Sequence, residues 1–319
     1  MKHENGDRTM ATGHLRSKEP SKVALHARNV KFEWSGLPFE WIPGERFASH
    51  YINVVHLLLP EGERWFVKVF SEILPLIHDD QLHEDVVGFI GQEGVHAASH
   101  QGVQDYFAAN GLDVRPFVSE LEATFRKILG DRGLEGRAKE EWLIERVATI
   151  AGIEHLTAVF GHWALNSPKL DRLGSNETML DLLRWHGAEE VEHRCVAYDV
   201  FTHVDGRYWR RVRTYAVGAT LLFTLWWRGT KYMMANDPSI TISRRPRAGM
   251  LRLLSAEARH LVPGLFTLGW ASWKYLLPNY HPSKEGSTSQ AVAFLAKSPA
   301  AMRADALAEA GSAVESARS

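Results

Sequence analysis

Glu93-Gly94-Val95-His96 and Glu190-Val191-Glu192-His193 are one pattern, Glu-x-x-His, written twice in the same chain. Each copy lies inside an apolar repeat of helical period. At i and i+3 two side chains share a helix face, so each copy presents a carboxylate and an imidazole to a single point. Upstream of each stands a lone glutamate, Glu63 before the first and Glu154 before the second. One Glu from each of two helices, with Glu-x-x-His from each of two others, is the set by which a four-helix bundle holds two metal ions. The expectation is an all-α bundle with metal ligands Glu63, Glu93, His96, Glu154, Glu190 and His193. Glu93 and Glu190 are placed to bridge, His96 and His193 to bind one ion each, and Glu63 and Glu154 to close the outer sides. Two divalent ions would offset the charge of four buried carboxylates. Mixed oxygen and nitrogen donors favour iron, with manganese or zinc as alternatives.

The neighbouring side chains extend this pattern. His100 lies seven residues after Glu93 and His186 seven before His193, so each shares a face with the expected ligands. His56 stands in the same relation to Glu63 if a helix survives Pro60. These histidines are candidates for fixing a ligand or donating protons, and plain polar packing is the competing reading. Glu189, at i−4 from His193, competes with Glu190 as ligand and is a candidate catalytic base, as is Glu192. Glu190 is preferred as the ligand because it repeats the spacing of Glu93 and His96. Cys195 is turned away from His193 and reads as a packing residue.

Helical periodicity runs from Phe47 to about Leu59 and resumes at Glu63, and Pro60 predicts a kink or a fresh start between them. Further helices are expected over Leu82–Phe107, from Pro116 to Leu129, over Lys139–Leu165 and over Glu177–Thr202, with Asn110-Gly111 and Asp205-Gly206 as stops. The long connection between the second and third bundle helices suits a crossover. The bundle then covers about 47–205, and extra apolar helices about 208–280. A single domain over 25–283 is expected, with a polar, disordered tail at 1–24 and a flexible tail at 284–319. Residues 27–43 read as an extended lead-in.

The 319 residues are 45% hydrophobic and 24% charged with a formal net charge of −1, which gives no reason to expect nucleic acid as a partner. One cysteine rules out an internal disulfide, and no secretory signal is evident, so a cytoplasmic protein is expected. The runs 215–227 and 261–277 are apolar and Trp-rich but shorter than a membrane span. They read as helices buried on the bundle. The competing reading is contact with a membrane surface or an apolar substrate.

Leu59-Pro60-Glu61-Gly62-Glu63-Arg64, Phe89-Ile90-Gly91-Gln92-Glu93-Gly94-Val95-His96, Ile153-Glu154-His155-Leu156-Thr157-Ala158, Trp185-His186-Gly187-Ala188-Glu189-Glu190-Val191-Glu192-His193 and Tyr280-His281-Pro282 occur in this order. Over residues 26–283 the chain resembles the bacterial "predicted metal-dependent hydrolase" family. The resemblance implies a ferritin-like fold with metal on the ligands named above. Gly94 and Gly187 depart from it, standing where a more helix-favouring small residue is expected. The residues favour a dimetal, di-iron oxidase or oxygenase acting on a hydrophobic small molecule, with an electron-donor protein as a conceivable partner. Hydrolysis by a metal-bound water and a non-enzymatic metal-binding role are the alternatives.

Overall fold

The computed structural model describes residues 23–240 and 248–316, with side chains described to residue 310. The disordered tail expected at 1–24 falls almost wholly outside the described residues. No strand occurs among those described, and the architecture is an all-α bundle. Its elements are α1 (Arg46–Asn53), α2 (Val55–Ile73), α3 (Asp80–Ala109), α4 (Arg115–Thr124), α5 (Gly136–Leu165), α6 (Pro168–Arg172), α7 (Glu177–His193), α8 (Val196–Val204), α9 (Tyr208–Asn236), α10 (Met250–Ala258), α11 (Leu265–Tyr275), α12 (Thr288–Leu295) and α13 (Pro299–Ser316).

Two helix pairs make the bundle. α2 packs along α3, and α5 packs along α7 and α8; α2 meets α5 while α3 meets α7 and α8. The core between them is apolar, with Val69, Phe70, Phe89, Val147, Ala148 and Val200 all fully buried. α9 covers α5, α10 lies on α1, and α11 lies on α5. The start of α3 is fixed by Asp79, whose side chain accepts from the Leu82 amide at 2.7 Å. Its end is followed by Gly111 at φ +90°, in the left-handed region that glycine enters freely.

Three expectations are corrected. Pro60 does not restart the helix: α2 runs through it, and the break falls earlier, at Val54. Proline removes the hydrogen bond its amide would give to the carbonyl four residues back, that of His56. The buried Gln104 side chain supplies the missing donor, with Nε2 2.7 Å from the His56 oxygen. The helix expected over Glu177–Thr202 is interrupted at Arg194 and Cys195, directly after the last expected ligand. The flexible tail expected from residue 284 is instead largely helical. α12 and α13 pack on α7, and Thr288, Ala291 and Ser298 are fully buried. Ser298 Oγ donates to Asp181 of α7 at 2.7 Å, and the Ala300 amide donates to the same carboxylate at 3.0 Å. Ala-rich composition reads as flexible in isolation; here its small side chains fit against α7.

The lead-in before α1 is extended, with Leu37, Trp41 and Ile42 in the core. It lies close along α3 because glycines face it. A Cβ at Gly88 would come within 2.5 Å of Leu25 Cβ, and one at Gly102 within 2.9 Å of Trp34 Nε1. That path brings Arg28 into the bundle interior.

Candidate metal centre

Each bundle helix sends a glutamate to one point: Glu63 from α2, Glu93 from α3, Glu154 from α5 and Glu190 from α7. His96 and His193 join them, and all six residues are at most 3% exposed. Glu93, Glu154, Glu190 and His193 form one group whose potential ligand atoms lie within 4.8 Å of one another. Glu63, Glu93 and His96 form a second, and His96, His186 and Glu190 a third. His193 Nε2 is 3.2 Å from Glu154, 3.3 Å from Glu93 and 3.4 Å from Glu190.

The donor atoms fit a cation. Seven of the eight oxygens of Glu63, Glu93, Glu154 and Glu190 are buried without a hydrogen-bond partner, and so are His96 Nδ1 and His193 Nε2. Buried carboxylate oxygens are ordinarily satisfied, because leaving one unpaired carries its full desolvation cost. Without a cation the charges are ill-matched. Burial, followed by the repulsion of neighbouring glutamates, raises Glu63 and Glu93 well above the usual carboxylate range. Burial and Glu190 push Glu154 up to about 7. Glu190 is held well below the usual range despite burial, because His193 and His186 face it. Burial opposes charge on His193, but Glu190 and Glu154 outweigh it and hold the imidazole protonated. A proton thus sits where a metal ion would supply the positive charge.

A family model described as "predicted metal-dependent hydrolase" matches residues 26–286. The chain belongs to this family. No curated protein and no solved structure matches it. For this family member the buried Glu and His groups are those able to hold the metal its description requires.

A second layer orients the imidazoles. His96 turns Nε2 to Glu189 at 2.9 Å and so points Nδ1 inward. Glu189 also accepts from Arg28 Nη1 at 2.7 Å and from Trp185 Nε1 at 3.2 Å. His193 Nδ1 meets Gln92 Oε1 at 3.0 Å, while Gln92 Nε2 donates to Glu192 at 3.2 Å. Arg28 binds Glu192 as well, at 3.0 Å. Glu189 and Glu192 therefore lie outside the cluster. Glu190 faces the cluster, as preferred, whereas Glu189 and Glu192 lie behind the imidazoles and share the single guanidinium of Arg28.

His186 and His100 stand differently. His186 Nε2 lies 2.7 Å from Glu190 Oε1 and 3.6 Å from Glu63 Oε1, so it borders the same cluster. Its Nδ1 is 2.5 Å from His100 Nε2, and His100 Nδ1 is 2.7 Å from His56 Nδ1. Burial, then the neighbouring His186, lowers both His100 and His56, the latter to about 3. The string is fully inside the bundle, and its members had been readable only by their seven-residue offsets. Arg28 and Gln92 were missed. Gln92 had a signal, its position beside Glu93; Arg28, in an extended segment remote in sequence, had none. Cys195 is buried and belongs to no metal-binding group among the described residues.

A cavity of about 70 Å³ reaches the cluster at His100, His186 and Glu190. Its wall is apolar: Leu58, Ile153, Phe160 and Leu183, with Phe223 and Trp226 of α9 and Leu268 of α11. Beside it α5 and α7 come unusually close, and a Cβ on Gly187 would lie 2.7 Å from Gly161 Cα. This accounts for glycine at 187. At Gly94 a Cβ would meet nothing within 4 Å, and the structure gives no reason for glycine there.

Proposed function

We propose that the protein is a dimetal carboxylate enzyme of ferritin-like ligand arrangement that oxidises an apolar small molecule. The observation that carries this reading is the set of seven unpartnered, buried carboxylate oxygens contributed by four helices around two inward-facing imidazole nitrogens. Glu63, Glu93, Glu154 and Glu190 with His96 and His193 would hold two ions, and His186 would offer a further imidazole on the Glu63 and Glu190 side. Oxygen-rich donors with imidazole suit iron or manganese. A redox-active pair, when bound, supplies the electrons that oxygen chemistry requires. The chain's own contribution is to exclude water, hold the ligands in place, and present substrate along the apolar wall. His186 and His100 are the polar groups placed where the cavity meets Glu190. They are positioned to pass a proton between the cluster and the cavity.

Metal-dependent hydrolysis, which the family description names, is the second reading. It requires a base to activate a metal-bound water. Of the residues first considered for that role, Glu189 and Glu192 are ion-paired with Arg28. Elemental analysis beside a Glu93→Ala, Glu190→Ala double variant tests the reading. About two iron or manganese ions per chain, lost in the variant, together with oxygen consumption coupled to an apolar substrate, are expected. Zinc-supported turnover without oxygen would move hydrolysis to first place, and absence of metal after reconstitution would sink both.

A further inference from the structure

A run of hydrogen bonds joins the outer nitrogens of His96 and His193 without a gap. His96 Nε2 lies 2.9 Å from Glu189 Oε2, and Glu189 Oε1 accepts from Arg28 Nη1 at 2.7 Å. The same Nη1 donates to Glu192 Oε2 at 3.0 Å, and that oxygen also accepts from Gln92 Nε2 at 3.2 Å. Gln92 Oε1 closes the run on His193 Nδ1 at 3.0 Å. Every member is at most 8% exposed. The partners settle the direction of each bond. An ionised carboxylate only accepts, so His96 carries its outer proton on Nε2 and the Gln92 amide turns its nitrogen to Glu192. The amide oxygen is left for His193, which donates from Nδ1. His96 Nδ1 and His193 Nε2 then face inward, and these are the two imidazole nitrogens of the cluster without a hydrogen-bond partner.

The guanidinium at the middle of this run is held from both sides. A Cβ on Gly88 or Gly91 of α3 would come within 2.5 Å of Leu25 Cβ or 3.1 Å of Ala27 Cβ, and Val30 is buried. Gly88, Gly91 and Gln92 lie three and four residues apart on one face of α3, so the face that seats the lead-in also presents Gln92. Phe32 packs on Trp185 with ring centroids 5.9 Å apart, and Trp185 Nε1 donates to Glu189 at 3.2 Å. Charge compensation alone explains why Arg28 pairs with two buried acids. It does not explain why each acid continues to a different imidazole.

We propose that Arg28 is a positioning residue for both metal-facing imidazoles, fixing His96 through Glu189 and His193 through Glu192 and Gln92. A hydrogen bond to the outer nitrogen of a ligating imidazole sets its tautomer and ring orientation and strengthens it as a donor. Here both outer bonds depend on one side chain, supplied by an extended segment rather than by the four helices. Loss of Glu189 or of Gln92 should disturb one imidazole, and loss of Arg28 both. The proposal rests on the cluster holding two ions, and not on whether the reaction is oxidative.

Chelator competition on the full-length protein, with zinc as a diamagnetic probe, measures the affinities, and proton–nitrogen NMR of the labelled imidazoles reads their tautomers. The parent is expected to bind about two ions, with His96 ligating through Nδ1 and His193 through Nε2. Arg28→Gln should weaken both ions about tenfold or more and shift the outer N–H signals of both imidazoles. Gln92→Leu should shift that of His193 alone. If Arg28→Gln does not fold, the double variant Arg28→Gln, Glu192→Gln loses one charge of each sign and should show the same losses in a folded chain. Parental affinity and unchanged imidazole signals in either folded variant, or the opposite tautomers in the parent, would overturn the proposal. A parent that binds no metal would overturn the dimetal reading as well, and it is told apart because the failure precedes any substitution.

Discussion

Glu189 accepts from the Arg28 guanidinium at 2.7 Å and holds His96 Nε2 at 2.9 Å, yet it faces away from the cluster. Burial pushes its carboxyl up to about 7 in spite of Arg28, so its charge is only partly secured. An ionised Glu189 fixes the tautomer of His96 and leaves Nδ1 free as a donor to metal. Glu189→Gln keeps the shape and an acceptor oxygen but loses the charge. The expected outcome is metal affinity about 10- to 100-fold weaker, read by chelator competition, with the circular dichroism spectrum unchanged. The six expected ligands were legible because a helix turns two residues three apart to one face, and that regularity survives in a linear sequence. Glu189 and Glu190 were harder, since neighbours point about 100° apart and the sequence alone does not say which points inward. Arg28 was not legible at all. It is 161 residues from Glu189 and reaches it from a segment without periodicity.

Pro60 and Gln104 are coupled through a single carbonyl. Gln104 donates to the His56 oxygen that Pro60 leaves without an amide partner, and α2 continues through the proline to carry both His56 and Glu63. Gln104→Leu should cost about 1–3 kcal/mol, the cost of an unsatisfied buried carbonyl. In a Pro60→Ala background the new amide can serve the same oxygen, so the cost should shrink by about 1 kcal/mol or more. Chemical denaturation of the four proteins in the cycle measures it; an unchanged cost would remove Gln104 from this role. The α5–α7 contact gives a parallel contrast. Gly187→Ala would drive a methyl group to 2.7 Å from Gly161 Cα and should destabilise the fold by about 1–3 kcal/mol. Gly94→Ala meets nothing and should stabilise α3 by about 0.5–1 kcal/mol. Thermal melts of the two variants should shift in opposite directions. Sequence periodicity located these helices to within a few residues, but not the break at Val54 or that after His193. Such breaks follow from how neighbouring elements pack, which no local pattern records.

At the scale of the molecule, the family match ends at residue 286 while α12 and α13 continue against α7, the helix that carries Glu190 and His193. The bundle's centre concentrates like charge, and this makes stability a function of both pH and metal. Glu154 is raised from its ordinary 4.5 to about 7, and Glu63 and Glu93 are raised well above 4.5. A carboxyl raised in the folded state gives stability that is complete below its ordinary value and is lost as pH climbs through the folded value. His193, also raised, is lost in the same direction, as its proton leaves at a higher pH than in the unfolded chain. Glu190 opposes them: its stabilisation is present above its ordinary value and disappears in acid. Below about pH 6.5 the lowered His56, His96 and His100 oppose the raised groups, being neutral in the fold and charged in the unfolded chain, so the metal-stripped protein should lose melting temperature chiefly between about pH 6.5 and pH 8. A bound cation reverses the slope, because it replaces the protons on those same atoms and binds more tightly as they leave. The two melting curves, recorded against pH with and without iron or manganese, should diverge steadily toward the alkaline side. Parallel curves would mean that the buried glutamates do not hold the metal.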